Sequence, residues 1–420
     1  MSWQSVMQKR ASIKSDTLVV GIDIGKRSHV ARAILPDTTI AKPLHFENNR
    51  AGFEKLQGYV VNWQRAALCS ETVVGMESTG HYCENLAYWL AGRGTKVVQV
   101  NALHVKRTKE TFDNSPGKAD PKDAALVADL VSQGKYLGLI LPQGDIAELR
   151  QLVNLRQRLV TERTAKLNLL HAALDRVFPE FTTVFKDPLG KTARYILGHF
   201  PLPAELLRFS AIELWKQLQE KCDKRLSLKK VEGLLAAAAG SVGVVAGSSG
   251  ARLALCEALA MVQYLADMIG RLEDSIAVLV AKVEESRWLM SLRGIGLITA
   301  AVILAETGGL KCYDRAASVL KLAGINLYEI SSGQSHGLRR ISRRGRSLLR
   351  HILYLAALQQ THRGAPLYEF YTRLVEKGKP KVKALIAVAC KLVRVLFALV
   401  RDGRCYVARP RCPEATESIA

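Results

Sequence analysis

Apolar and polar positions change period several times along the first 140 residues. LVVGIDI at 18–24 is a β-branched apolar run, and a second run, HVARAIL, follows the turn-like GKRS, which predicts a β-hairpin. A third short strand is expected near Pro43–Phe46, followed by an amphipathic helix over Ala51–Arg65. TVVGME at 72–77 reads as a buried strand ending on a carboxylate. A helix over Tyr82–Gly92, a strand over Lys96–Val100 and a helix opening around Ala119 complete the series. Strands first, then alternating helices and strands, predict an α/β layered domain over residues 1–142.

Beyond Pro142 the period is helical. Residues 146–178 carry Leu, Val and Ile three and four apart on a charged background, which predicts a long helix or coiled-coil arm. A second such pattern at 251–285 is expected to return antiparallel to it. The stretch 180–250, broken by Pro, Gly and an Ala-rich tract, has no readable period. From Leu292 onward short helices prevail, interrupted by a Gly/Ser loop at 330–337 and followed by a helix from about Arg343 to Thr361. The chain thus divides into an α/β domain (1–142), a helical, coiled-coil assembly region with an insertion (143–287) and a mostly α-helical domain (288–420).

Charge adds a partner to this outline. The formal net charge is +22, and residues 287–420 hold 23 Lys+Arg against 8 Asp+Glu. Such an imbalance points to a polyanion and identifies the last third as its main electrostatic footprint. Eight cysteines lie scattered with no CxxC pair and no His/Cys ligand spacing, so neither zinc nor a disulfide framework is expected. The N-terminal residues lack a signal-peptide core, and Gly233–Gly247 is short and Gly-rich for a membrane span, so no membrane passage is expected.

Candidate chemistry centres on four acids. Asp23 ends the first strand, Glu77 ends the fourth, and Asp120 and Asp123 open a helix, where i and i+3 share a face. Carboxyl ends of neighbouring strands gather at one edge of an open α/β sheet, so three distant segments can deliver four carboxylates to one point. Like charges that close demand cations, and an all-oxygen donor set favours Mg²⁺ or Mn²⁺. Taken singly, a strand-end Asp before Gly is also a turn former, and Asp120 before Pro121 also suits a helix cap. Asp113, in a loop before Asn, reads as a turn residue. No histidine pair shows ligand spacing, so His29, His81, His104 and His336 are expected to be structural, and Tyr82 and Trp89 to pack their helix on the sheet.

GIDIGKRSHV, VVGMESTGHYCENLAYWL and SPGKADPKDAALVADLV together resemble the RuvC-like DEDD domain of insertion-sequence transposases described as bridge-RNA-guided recombinases. The resemblance covers about residues 17–135 and implies an RNase H-like fold with Mg²⁺ held by Asp23, Glu77, Asp120 and Asp123. Residues 288–400 resemble the same family's second, serine-bearing domain through Gly294-Ile295-Gly296, Leu322-Ala323-Gly324-Ile325, Ser332-Gly333 and Arg340-Ile341-Ser342-Arg343-Arg344-Gly345. It implies a nucleophilic serine at Ser332, with Ser331 adjacent. From the residues themselves, Gly294 and Gly296 before an apolar helix suit a hairpin gripping a phosphate, or a plain helix start. Arg339, Arg340, Arg343, Arg344, Arg346 and Arg350 form a purely basic run suited to phosphates.

The family implies a prokaryotic, cytoplasmic, nucleoid-associated enzyme acting as a dimer or tetramer on donor and target DNA, with a guide RNA and a composite site between subunits. Three other readings stand beside it: a structure-selective nuclease of Holliday-junction resolvase type using the acids and water, an actin-like sugar kinase, and a non-catalytic nucleic-acid-binding protein. The kinase reading lacks a second D-x-G-x-T phosphate loop, and the charge of +22 is foreign to it.

Overall fold

Helix α1 (Trp3–Ala11) leads into β1 (Thr17–Ile24), which turns back through a hairpin into β2 (Ser28–Ile34), with Asp23 opposite Val30. The computed structural model describes residues 3–77, 80–112, 120–222, 224–329, 337 and 339–408. Strand β3 (Leu44–Glu47) pairs antiparallel with β2, and helix α2 (Arg50–Ala66) follows, its first turn capped by the Asn49 side chain. Strand β4 (Glu71–Glu77) lies parallel to β1, helix α3 (Glu84–Ala91) follows, and β5 (Lys96–Val100) lies parallel to β4. Helices α4 (Ala102–Phe112) and α5 (Asp120–Ser132) precede β6 (Leu137–Gly138), which closes antiparallel on β5.

The sheet order β3-β2-β1-β4-β5-β6 is the RuvC-like arrangement, an antiparallel hairpin at one side and parallel strands at the centre. The central strands are buried on both faces. Leu18, Val20, Ile22, Val74 and Met76 pack under Phe53 and Leu56 of α2 and Leu86 and Leu90 of α3. Val19, Val73 and Val98 pack under Val127, Ala128 and Val131 of α5. This double burial explains why β1 and β4 read as continuous apolar runs instead of alternating ones.

The chain divides into two compact units, Met1–Leu141 and Pro142–Ala420. In the second, α6 (Gly144–Val177) runs for 34 residues before five short helices: α7 (Phe181–Val184), α8 (Lys191–His199), α9 (Pro203–Leu206), α10 (Ala211–Lys221) and α11 (Leu228–Ala239). Helix α12 (Ser248–Lys282) then returns antiparallel along α6. Leu170 and Leu174 of α6 share a core with Leu255 and Leu259 of α12 at one end, and Leu149 and Val153 share another with Ile276 and Val280 at the opposite end. The region without a readable period is therefore a small helical knob, built around Phe178, Phe181, Ile196, Leu214 and Leu234. Helix α12 is long and apolar enough to cross a membrane by composition alone, a stretch the sequence reading passed over; its apolar side chains at Leu255, Leu259, Leu265 and Ile269 are buried within the protein.

The basic domain continues with α13 (Glu284–Met290), α14 (Leu297–Thr307) and α15 (Ala316–Ala323). A short ribbon of β7 (Leu327–Tyr328) and β8 (Arg340–Ile341) precedes α16 (Ser347–Gln359), α17 (Tyr368–Glu376) and α18 (Lys381–Asp402). Helices α14, α16 and α18 enclose a core that also takes in the first turns of α6 and the last of α12. The described cysteines are free thiols.

Candidate metal centre and serine loop

Two glycines determine where the acids stand. A Cβ on Gly21 would lie 2.1 Å from the Ala124 carbonyl oxygen and 2.4 Å from the Ala128 nitrogen, and one on Gly75 would lie 2.4 Å from Val131 Cγ2. Helix α5 therefore rests its backbone directly on β1 at Gly21, which only glycine permits, and sets a valine methyl against Gly75 of β4. The register places Gly21 beside Gly75 and Ile22 beside Met76, so Asp23 and Glu77 follow as neighbours on the face that α5 covers. Ala124 and Ala128 sit over Gly21, and Asp120 lies one turn before Ala124 on the same helix face. Asp120 and Asp123 thus stand within one turn before the residue of α5 that lies over Gly21.

Asp23 and Glu77 are half-buried, Asp120 is exposed, and Asp123 is buried. Asp123 is held by Lys109 of α4, whose Nζ donates to Oδ1 at 2.7 Å and Oδ2 at 3.0 Å, with side chains only 19% and 11% exposed. Nothing in the one-dimensional pattern singles out this lysine. Among the described residues no three of the acids gather into a group able to hold a metal ion as they stand. The donor chemistry nevertheless fits a hard cation: the set is all carboxylate, and a cation, the Lys109 ammonium, already sits on one member. Asp113 lies outside the described residues.

His29 is buried against Phe46 and Phe53, and its Nδ1 accepts the Gly25 N–H at 3.2 Å. Burial lowers its pKa, so it is a neutral structural ring next to the strand end. His81 leans on Tyr82, while Trp89 packs edge-on against Phe53 and carries the Arg93 guanidinium 3.7 Å above its ring.

In the second unit two sequence motifs close on each other. The Arg343 and Arg346 N–H groups donate to the Gly324 and Leu322 carbonyls at 2.9 and 2.7 Å. Ser342 Oγ donates to Asn326 Oδ1 at 2.7 Å. A Cβ on Gly345 would stand 2.2 Å from the Leu322 oxygen, so the Leu322–Ile325 and Arg340–Gly345 segments meet backbone to backbone. Their union supports the β7–β8 ribbon, with Arg339 Nε bonded to Glu329 Oε2 at 2.7 Å at the base of the intervening loop. Ser331, Ser332 and His336 in that loop lie outside the described residues.

The basic run is not helical from Arg343, contrary to the periodicity. Arg343 has φ +52 and Gly345 φ +146, both incompatible with a right-handed helix, and α16 opens only at Ser347. The six arginines differ in kind as a result. Arg350 Nη1 donates to the Ala323 and Arg343 carbonyls at 3.0 and 3.3 Å, and Arg346 faces buried Glu306 at 3.6 Å. Arg340, Arg343 and Arg344 are exposed. Gly294, with φ +96, turns between α13 and α14, locked by buried Gln360, whose Nε2 donates to the Arg293 carbonyl at 2.8 Å. Gly296 caps α14 with open space before it. Sequence reasoning missed Lys109, Glu306 and Gln360, each of which acquires its role from a partner distant in the chain.

Residues 20–179 match a transposase family, the DEDD domain of IS110 type, and residues 286–372 match the family described as Transposase IS116/IS110/IS902. The chain is 25% identical to the 43.6 kDa protein of insertion element IS110 of Streptomyces coelicolor, over 93% of this chain and 95% of that one. It is 25% identical to the 44.8 kDa protein of insertion element IS116 of Streptomyces clavuligerus, over 95% and 98%. A shorter match, 27% identical over 34% of this chain and 46% of the relative, is to the pilin gene-inverting protein of Moraxella lacunata.

Proposed function

Taking as premise that the chain is an insertion-sequence DNA transposase with both IS110/IS116-type domains, we propose that it cuts and rejoins DNA with carboxylates of residues 1–141 and a serine of residues 142–420. The observation that carries this reading is the register that brings Asp23 and Glu77 to neighbouring strand ends in residues 1–141, together with the exposed arginines at and just after the β7–β8 ribbon in residues 142–420. Asp23, Glu77, Asp120 and Asp123 would hold Mg²⁺ or Mn²⁺, which when bound supplies charge stabilisation to the attacking and leaving oxygens of a phosphodiester. Arg340, Arg343 and Arg344 bind backbone phosphates, and the Gly294-Ile295-Gly296 turn presents the first N–H groups of α14 to another. Ser332 Oγ forms a bond to phosphorus, the phosphorus–oxygen bond to the leaving strand breaks, and the serine proton passes to the leaving hydroxyl. The phosphoserine keeps the energy of the broken diester, so a new strand hydroxyl reverses the step without ATP. The acids and the serine loop meet in an oligomer, and a structured guide RNA selects the target. The name of the Moraxella relative, a pilin gene-inverting protein, accords with a DNA-rearranging activity.

The experiment is to incubate the full chain in Mg²⁺ with supercoiled plasmid carrying its element and flanking non-coding DNA, then denature. A protein–DNA adduct is expected, lost in EDTA and in Ser332→Ala, with the phosphopeptide mapping to Ser332. Cleavage that persists in Ser332→Ala without any adduct would establish the water-using nuclease instead, and an adduct lost only in Ser331→Ala would move the nucleophile by one residue. RNA sequenced from the purified protein tests the guide, whose absence would sink that part alone.

A further inference from the structure

We infer that Lys109 is a stand-in cation, occupying Asp123 until a divalent ion displaces it. Asp123 is the most deeply buried of the four acids, and a buried carboxylate without a partner is strongly unfavourable. Lys109 removes that penalty, its single ammonium spanning both oxygens at 2.7 and 3.0 Å. The ammonium thereby uses two of the carboxylate's roughly four lone-pair sites. A divalent cation at about 2.1 Å needs the same electron pairs and repels the ammonium beside it. Uptake at Asp123 is therefore an exchange of one cation for another, and Asp123 is never left uncompensated.

The residue type suits such an exchange. A lysine ammonium is a point charge on a flexible stem, able to swing aside, whereas an arginine fork would hold the carboxylate in a fixed bidentate grip. Lys109 belongs to α4 and Asp123 to α5, so the ion pair also ties two helices covering the same face of the sheet. Displacement would loosen that tie and free one positive charge near the place where a DNA phosphate is to bind. In this role Lys109 is a positioning residue that acts through Asp123.

The inference rests on the proposed metal reading, and one experiment separates the two. The full chain, stripped with EDTA, is titrated with Mn²⁺ while free Mn²⁺ is followed by electron paramagnetic resonance, and thermal unfolding is recorded with and without the ion. Lys109→Met is expected to bind Mn²⁺ more tightly than the parent, on the order of tenfold, because a competing like charge beside the ion is gone, and Lys109→Arg more weakly than the parent. Without metal Lys109→Met should unfold at lower temperature, and Mn²⁺ should raise its midpoint more than the parent's. Equal or weaker Mn²⁺ binding by Lys109→Met overturns the inference and makes Lys109 an orienting partner, while leaving the metal reading intact. Absence of Mn²⁺ binding in all proteins, with Asp23→Asn no different, overturns the metal reading itself. Should Lys109→Met fail to fold, Lys109→Gln carries the same comparison.

Discussion

Replacing Gly21 by alanine tests whether the seat of α5 on the sheet governs the acidic site. The new methyl would stand 2.1 Å from the Ala124 oxygen and 2.4 Å from the Ala128 nitrogen, both backbone atoms of a buried helix. Ordinary carbon–oxygen contacts begin near roughly 3.3 Å, so α5 must retreat by about 1 Å. Overpacking of this kind costs about 3 kcal/mol, since no side chain can rotate away. Alanine offsets up to about 1 kcal/mol by restricting the unfolded chain, leaving a net loss of about 2 kcal/mol. For a unit of this size that lowers the midpoint by roughly 6 °C. Because α5 carries Asp120 and Asp123, the same shift should slow Mg²⁺-dependent strand cleavage by about 100-fold. Gly75→Ala is the control: its nearest neighbour is Val131 Cγ2 at 2.4 Å, a side-chain methyl that can give way. Differential scanning calorimetry of the full chain and plasmid cleavage read both effects. A Gly21→Ala protein that melts and cleaves like the parent, or a Gly75→Ala protein more impaired than Gly21→Ala, would refute the reasoning.

The arginines of the basic run should separate into two classes. Arg350→Ala removes the donor to the Ala323 and Arg343 carbonyls and is expected to cost about 2 kcal/mol in urea unfolding. Arg344→Ala should leave stability unchanged while reducing the slope of log affinity for DNA against log salt by about 1; identical behaviour of the two variants would contradict this division. His29 yields a pH prediction. Burial holds its pKa below the ordinary 6.5, so the unfolded chain takes up its proton first as pH falls. Its contribution is fully present above pH 6.5 and is lost below it, by at most about 1.4 kcal/mol per pH unit. Urea midpoints of the first unit between pH 7.5 and 5.5 should show the decline, and in His29→Phe that decline should be shallower.

Much of this protein is legible along the chain because its signals are local. The apolar runs at 18–24 and 72–77 declare central strands, and the acids at their ends need only the rule that parallel strands share an edge. The spacing over 146–178 and 251–285 anticipates α6 and α12 closely, since long helices repeat their pattern many times. Shorter elements escape this reading. β6 spans two residues, too few for alternation to register, and the knob helices α7 and α9 span four each.

What tertiary structure alone decides are the relations between distant segments. That Gly21 and Gly75 seat a helix, that Lys109 holds Asp123, and that Gly345 fits against the Leu322 carbonyl all depend on backbones meeting in space. The basic run shows the same limit from the other side. Its composition allows a helix, but the close approach of Leu322–Gly324 holds Arg343 and Gly345 at positive φ. Local sequence determines which elements form and which chemistry they carry. Side chains separated by many residues acquire their roles only when packing makes them neighbours, because hydrogen bonds and ion pairs act over a few ångströms of space and not along the chain.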